Sequence, residues 1–324
     1  MKAVTYNQYG PPGVLKYSEV PKPEPKSDEV RIHIKAATVT AGDCELRRFD
    51  IDPGYWLPLR LYMGLLKPRI KILGQEFAGV VNKVGQNVSL FKPGDKVLGG
   101  TEMNLGAYAE YLCLPEKRPM ATIPNGVSFE QAATIPTGGL NALYFLRKVK
   151  IQPGDTILIH GAGGSIGTYA IQLAKLWKAQ VIATELPGKT SFLHELGADQ
   201  VIDTTKEDFT LSDKTYDIIL DVTGRAPLTK CLKLLRTGGS FIQANPGIPF
   251  IFKKIWYSMV SSKKIYAGLA AYKPEDMDYL TSLMASGDLS PYIDKKFKLS
   301  DLSEAHQYVE EGHKNGHIVI QIPE

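Results

Sequence analysis

The sequence predicts an α/β protein in which a doubly wound parallel sheet domain is joined to a β-rich, barrel-like or sandwich domain. Three observations carry that prediction. A short apolar strand, Thr156 to His160, runs into a glycine-rich turn and then a helix. From Thr156 onward strand-like and helix-like segments alternate, which is the pattern of a parallel sheet covered on both faces. The first third instead holds closely spaced strand-like runs punctuated by Gly and Pro, the texture of a small all-β unit.

Taken in chain order, Pro21, Pro23 and Pro25 mark a connecting loop, because proline cannot donate to a sheet ladder. Val30, Ile32, Ile34 and Ala36 alternate with Arg31, His33 and Lys35, as in a half-buried strand. Further strands are expected at Phe77 to Val84, Lys96 to Leu98 and Ala107 to Leu112, the second announced by Pro93-Gly94-Asp95. Near Pro124 the texture changes. Ser128 and Gln131 form a capping box that opens a helix through Ala132 and Ala133.

In the second half, strands are expected at Thr156 to His160, Gln180 to Thr184, Gln200 to Asp203, Tyr216 to Val222, Ser240 to Ala244 and Lys264 to Gly268. Helices are expected at Ser191 to Leu196 and Pro227 to Leu235. The helix after the glycine turn shows its period in Ile166, Tyr169, Ala170, Leu173, Ala174 and Trp177, an apolar stripe at i, i+3, i+4, i+7, i+8 and i+11. The tail reads as helices at Pro274 to Ser286 and Asp301 to Glu311, the latter with an Asp301/Glu304 cap, and a closing strand at Ile318 to Ile322.

A chain of 324 residues favours two domains. The domains are expected at 1–124 with 268–324 and at 125–267. Hydrophobic content of 44% and charged content of 22% describe a globular protein. The net charge of +4 comes from scattered Lys and Arg, so no nucleic-acid partner is expected. Met1 to Tyr6 read straight into a strand-like segment rather than a signal peptide, and no run reaches the roughly 20 apolar residues of a membrane span. Cys44, Cys113 and Cys231 are odd in number and far apart, which points to free thiols in a reducing compartment. A cytoplasmic location is therefore expected.

The chemistry begins at the glycine turn. Counted from Ala162, the chain reads Ala-x-Gly-x-x-Gly, with Ala162, Gly164 and Gly167 at the three key places. Gly164 lets the backbone approach a pyrophosphate, and Gly167 lets the helix pack on its strand. The flanking residues Gly161, Ser165 and Ile166 complete a turn whose amides and helix dipole favour an anion. The bland alternative is a structural turn with no ligand.

The whole chain resembles the medium-chain dehydrogenase/reductases, and among them the zinc-free, quinone-oxidoreductase-like branch. The residues that carry the resemblance are Gly74-Gln75-Glu76-Phe77-Ala78-Gly79, Pro93-Gly94-Asp95-Lys96-Val97, Gly106-Ala107-Tyr108-Ala109-Glu110-Tyr111, the 154–175 stretch, Leu196-Gly197-Ala198-Asp199 and Gly312 to Ile320. Ser165 stands where that branch's signature has glycine. The resemblance implies a Rossmann domain for the parallel sheet and a GroES-like domain for the β-rich part. It also implies reduction of quinones or α,β-unsaturated carbonyls by hydride transfer from NAD(P)H. The expected partner is an apolar or aromatic carbonyl compound of low mass, and the expected assembly is a homodimer.

Against zinc-dependent relatives, Thr40 matches the first ligand, a Cys. Gln75 matches the His of a Gly-His-Glu motif, and Thr137 matches a later Cys. None of the three is a strong zinc ligand, so no metal is expected. Thr40, Asp43, Gln75 and Thr137 become the substrate-side candidates. Asp43 either orients a polar group or caps the helix through Glu45 to Arg48. Tyr55 either meets an aromatic substrate from a loop or simply packs. On the nucleotide side the resemblance implies Asp221, Val222, Thr223, Ala244, Asn245, Gly268, Leu269, Gly316 and His317, the last in place of a lysine common in relatives. His160 reads as a satisfied strand-end residue rather than a catalyst.

Cofactor choice turns on the end of the second strand. Thr184 stands where NAD-binding relatives place an acid, and Lys189 is within reach of a 2′-phosphate, whereas Glu185 opposes one. NADP is expected, with NAD as the alternative. Two rival readings stay open: a zinc-type alcohol or aldehyde dehydrogenase, and a nucleotide-binding protein without turnover. The apolar stretches Pro53 to Lys71 and Pro249 to Lys264 are expected to wall a substrate cleft or a subunit contact rather than to meet a membrane.

Overall fold

The computed structural model describes residues 1–268, 270, 271 and 273–323. The chain divides into two compact units, Met1–Thr137 with Lys273–Glu324, and Gly138–Tyr272.

The second unit is built on six parallel strands. Their order across the sheet is Gln200–Asp203, Gln180–Glu185, Thr156–His160, Tyr216–Asp221, Leu235–Ala244 and Lys264–Gly268. The first strand in sequence thus lies at the centre, and the order reverses between Thr156–His160 and Tyr216–Asp221. In such sheets ligands gather beyond the carboxyl ends of the strands at this reversal. Register aligns those ends, pairing His160 with Thr184 and with Asp221. The core is apolar, with Leu158, Ile182, Ile219 and Phe241 all buried. Strand by strand, the reading of this half agrees with the structure to within one residue, except that the fifth strand starts five residues early, at Leu235.

The first unit is a seven-stranded, mainly antiparallel sheet. Its order is Ile293–Lys298, His317–Gln321, Glu29–Val39, Glu76–Val84, Lys96–Gly100 and Met120–Thr122, with Tyr111–Pro115 pairing against Glu29–Val39. The strand expected over Ala107 to Leu112 lies later, at Tyr111–Pro115. Ala107 to Ala109 are buried instead in a loop held by the Tyr108 N–H to Leu73 carbonyl bond and by the bond from Val4 N–H to the Tyr108 carbonyl. Residues 125–137 group with this unit, whereas the expected boundary lies at 124.

Caps decide several helix starts. The Ser128/Gln131 box is formed in both directions, but the helix it opens is short, Phe129–Ala132, and leads into a π-helical turn over Ile135–Gly139. The expected Asp301/Glu304 cap is not made. The Asp301 carboxylate accepts from Ser300 Oγ instead, and a 3₁₀ turn at Leu299–Asp301 precedes the helix Leu302–Glu310. The two apolar stretches form helices, Pro53–Met63 and Ile248–Val260, and most of their large apolar side chains are exposed on their own unit. Among the described residues, no helix is long and apolar enough to cross a membrane.

Candidate functional site

The glycine turn has the geometry that its residue types require. Gly161 sits at φ +80°, and a Cβ there would fall 2.4 Å from Thr223 Cγ2, so only glycine fits. Its N–H and that of Ala162 both donate to the Thr184 carbonyl, which ties the turn to the second strand. Gly164 is the N-cap of helix Ser165–Leu176 in extended backbone, with no side chain capping the helix start. A Cβ on Gly164 would meet nothing closer than 3.9 Å, so its Cα face is open to a ligand. A Cβ on Gly167 would lie 2.5 Å from the Ala162 carbonyl oxygen, so glycine here sets how closely the helix approaches the turn. A twelve-residue helix whose N-cap Gly164 makes no side-chain capping bond fits a diphosphate. Ser165 begins the helix and Ile166 is buried beneath it.

At the end of the second strand, Thr184 is buried and its hydroxyl lies 2.7 Å from His160 Nδ1. That contact satisfies the imidazole, which burial holds below its ordinary range. Glu185 is committed to the turn. Its Oε2 accepts from Gly163 N–H at 2.6 Å and its Oε1 from Leu186 N–H at 3.0 Å, with Lys189 Nζ 3.7 Å away. The carboxylate is thus tied to the turn and pairs with Lys189, so this corner carries both signs of charge.

Asp221 is fully buried and shapes the loop after its strand. Its Oδ1 accepts from the N–H groups of Thr223 and Gly224 and from the Thr223 hydroxyl, and its Oδ2 accepts from Ala226 N–H. Val222 N–H donates to the His160 carbonyl. Ala244 ends the next strand buried, and Asn245 follows it in the left-handed region at φ +59°. Gly268 ends the edge strand, and Leu269 lies outside the described residues. Gly316 at φ +64° leaves only 2.3 Å between a Cβ and the Tyr292 carbonyl oxygen. His317 begins the closing strand of the first unit with its imidazole buried and kept neutral by desolvation.

The first unit brings Thr40, Asp43 and Gln75 into one hydrogen-bonded group. Thr40 is the N-cap of helix Ala41–Arg48, and Asp43 is its N3 residue. Asp43 N–H donates to Thr40 Oγ1, while Asp43 Oδ2 accepts from the Thr40 amide and hydroxyl at 2.9 and 2.7 Å. Asp43 therefore serves the cap, but from within a helix that starts four residues before the expected Glu45. Gln75 Nε2 lies 3.3 Å from Thr40 Oγ1 and 3.4 Å from Asp43 Oδ1, and this side chain is only half-buried. Burial raises the Asp43 carboxyl, opposed by the Thr40 bonds.

Beside this group stands a residue that sequence reasoning passed over. Glu76 is buried, and its carboxyl accepts from the Thr38 hydroxyl and from the Thr137 backbone N–H. Burial pushes it up to about 7 despite those bonds. Its place beside Gln75 in the Gly74 to Gly79 run was the available signal. Thr137 is half-exposed in the π-helical turn, a backbone form often found at functional positions. Tyr55 sits in the first turn of helix Pro53–Met63 rather than in a loop, half-buried.

The donor set at Thr40, Gln75 and Thr137 does not suit zinc, which takes thiolate, imidazole or carboxylate ligands. Among the described residues no three His, Cys, Asp or Glu side chains are grouped to hold a metal ion. The Gln75 amide suits instead the oxygen of a polarised organic acceptor, with the Thr40 and Thr137 hydroxyls held by Asp43 and Glu76.

Comparison with known proteins places these features in context. Residues 26–125 match the alcohol dehydrogenase GroES-like domain family, and residues 196–320 match the zinc-binding dehydrogenase family. The chain is 34% identical to a chloroplastic quinone-oxidoreductase QR1 of Triphysaria versicolor over 99% of this chain and 98% of that protein. It is 31% identical to a quinone oxidoreductase of Pseudomonas aeruginosa over 94% of each chain. Among solved structures, a quinone oxidoreductase from Coxiella burnetii superposes with a TM-score of 0.89 at 31% identity, covering 100% of this chain and 99% of that one. An Escherichia coli quinone oxidoreductase complexed with NADPH superposes with a TM-score of 0.83 at 26% identity, covering 99% of this chain and 100% of that one.

Proposed function

Since this chain belongs to the quinone-oxidoreductase-like branch of the medium-chain dehydrogenase/reductase superfamily, we propose that it reduces quinones or α,β-unsaturated carbonyls with NADPH and without zinc. The observation that carries this reading is the half-buried Gln75 amide, hydrogen-bonded to the Thr40–Asp43 cap, where a zinc-type relative would carry a metal ligand. The nicotinamide cofactor supplies the hydride, and the protein's task is to hold both reactants and to stabilise the charge that develops.

Gly164 and the first-turn amides of Ser165–Leu176 hold the diphosphate. Asp221 keeps the Val222–Thr223 loop in shape beside it, with Ala244, Asn245 and Gly268 at the neighbouring strand ends. Gln75 Nε2 donates to the acceptor oxygen, while the hydroxyl protons of Thr40 and Thr137 go to Asp43 and Glu76 and fix the residues around it. The acceptor is already electron-poor and the product oxyanion is delocalised, so water protonates it without a strong acid. Asp43 holds the Thr40 hydroxyl, and Glu76 holds the Thr137 backbone. Tyr55 is left as packing, and His317, buried in the sheet, as structure.

Preference for NADPH rests on Lys189 at the end of the second strand, a cation that would move from the Glu185 carboxylate, 3.7 Å away, to a 2′-phosphate. Lys189→Ala should weaken NADPH binding about tenfold, roughly 1.4 kcal/mol, and leave NADH nearly unaffected; titration of reduced-nicotinamide fluorescence measures both. Three free cysteines favour a reducing compartment.

The reading as a whole is tested by following NADPH and NADH oxidation with quinones, enals and simple aldehydes, before and after dialysis against a chelator. Turnover of quinones or enals that survives dialysis supports it. Nucleotide binding without oxidation by any acceptor, or turnover restored only by zinc, refutes it.

A further inference from the structure

The side-chain bonds of Gln75 are too long to fix its direction. Its Nε2 reaches Thr40 Oγ1 and Asp43 Oδ1 at 3.3 and 3.4 Å, beyond the usual range of about 2.7–3.2 Å for an N–H to oxygen bond. The aim of this amide is therefore set by its main chain. Strand Lys96–Gly100 runs antiparallel to Glu76–Val84 with Gly100 paired to Glu76, which brings Thr101 opposite Gln75. The Thr101 N–H donates to the Gln75 carbonyl at 2.8 Å, and the Thr101 hydroxyl donates to the Gly74 carbonyl at 3.0 Å. One residue thus fixes the peptide planes on both sides of the Gln75 Cα, and with them the direction in which the side chain leaves the backbone.

Thr101 is fully buried, so its hydroxyl costs stability unless it is hydrogen-bonded, a demand that valine in the same space would not make. The turn behind it is strained. Glu102 at φ +50° and Leu105 at φ +55° lie in the left-handed region on either side of Met103 and Asn104, a region that residues other than glycine rarely adopt. Strain of this kind persists only where the surroundings impose it, and it gathers at functional sites. Here Leu105 is buried, Arg118 pairs with Glu102, and the Tyr62 hydroxyl donates to the Met103 carbonyl at 3.2 Å. We propose that Thr101 is a positioning residue for the reduction: by gripping both peptides that flank Gln75, it aims that side chain's amide at the acceptor oxygen. This role rests on the reading of Gln75 as the donor to the acceptor.

The test compares Thr101→Val, which keeps the shape and the N–H bond but loses the hydroxyl, with Thr101→Ser, which keeps the hydroxyl and loses a methyl group. Each is also combined with Gln75→Ala. Thr101→Val should lower kcat for quinones or enals about tenfold and leave NADPH affinity unchanged, because only the contact with the reacting acceptor is disturbed. Thr101→Ser should keep kcat within about twofold of wild type. In the Gln75→Ala background, Thr101→Val should change nothing further, since its effect passes through the missing amide. In crystals of Thr101→Val without acceptor, Gln75 Nε2 should lie out of hydrogen-bond reach of Asp43 Oδ1.

Thermal unfolding confirms that each variant folds; if Thr101→Val does not, Thr101→Ala removes the same hydroxyl and is read in its place. A Gln75 amide that has not moved overturns the proposal, and so does wild-type kcat in Thr101→Val. Losses in Thr101→Val and Thr101→Ser that simply follow their melting temperatures reduce Thr101 to packing and overturn it too. So does a full effect of Thr101→Val in the Gln75→Ala background. Gln75→Ala that turns over acceptors like wild type refutes the reading of Gln75 itself, whereas a slow Gln75→Ala beside an unaffected Thr101→Val refutes only the role of Thr101. Should the protein turn over no acceptor at all, the crystal comparison still decides whether Thr101 holds the amide.

Discussion

Gly164 and Gly167 stand three residues apart in one motif and do opposite work. Gly164 has room for a methyl group at φ −88°, so Gly164→Ala should unfold at the same temperature as wild type while losing nucleotide affinity. Gly167→Ala should cost about 1–3 kcal/mol, because the new Cβ meets the Ala162 carbonyl and the helix must lift off its turn. Thermal unfolding and nucleotide titration on both variants check the pair, and equal loss of stability would show that the motif is only structural. This division of labour was legible in the spacing alone. Glu76 was not, since its raised affinity for a proton comes from burial, which only tertiary structure creates. Its carboxyl stays protonated in the fold up to about pH 7, whereas in the unfolded chain it ionises near 4.5. Folding stability should therefore fall as pH rises through that window, and Glu76→Gln should abolish the fall, worth up to about 3 kcal/mol at pH 8. His306, held down to about 3 by burial and by Arg47, acts oppositely, since its share of stability is lost as pH drops below 6.5. Urea midpoints of wild type and Glu76→Gln at pH 5 and pH 8 separate the two effects.

At the scale of elements, the parallel strands were readable because a buried strand is an apolar run of fixed length bounded by turn residues. Helix Ser165–Leu176 was readable from its stripe. Errors fell where packing outweighed local pattern. Ala107 to Ala109 look like strand residues but are buried in a loop, and the Asp301 carboxylate went to Ser300 rather than to a helix amide. Helix Ala41–Arg48 begins at Thr40 because the Thr40–Asp43 box closes there, an arrangement read only as far as Asp43. The Ser128/Gln131 box was read correctly, although the helix behind it is short. Ser128→Ala should cost about 1 kcal/mol in chemical denaturation, and Ser128→Asp should restore most of it.

On the scale of the whole molecule, the assignment of residues 125–137 was the hardest to see. Their composition is helical, like the half that follows, but the Thr137 amide bonds to Glu76 in the half that precedes. The thiols can be checked across the chain at once. Cys44 and Cys231 are buried and pushed to about 12, and the partly exposed Cys113 to about 11. Ellman's reagent should therefore react sluggishly with native protein and find three thiols per chain after denaturation.

Strand His317–Gln321 lies between Glu29–Val39 and Ile293–Lys298. During translation, the edge presented by Ala36 to Val39 must wait while nearly three hundred further residues leave the ribosome. The inserted unit, continuous from Gly138, can fold as it emerges. A nascent chain arrested before the last strand would thus carry a finished inner unit inside an unfinished outer one, and that outer edge is where chaperones would find it.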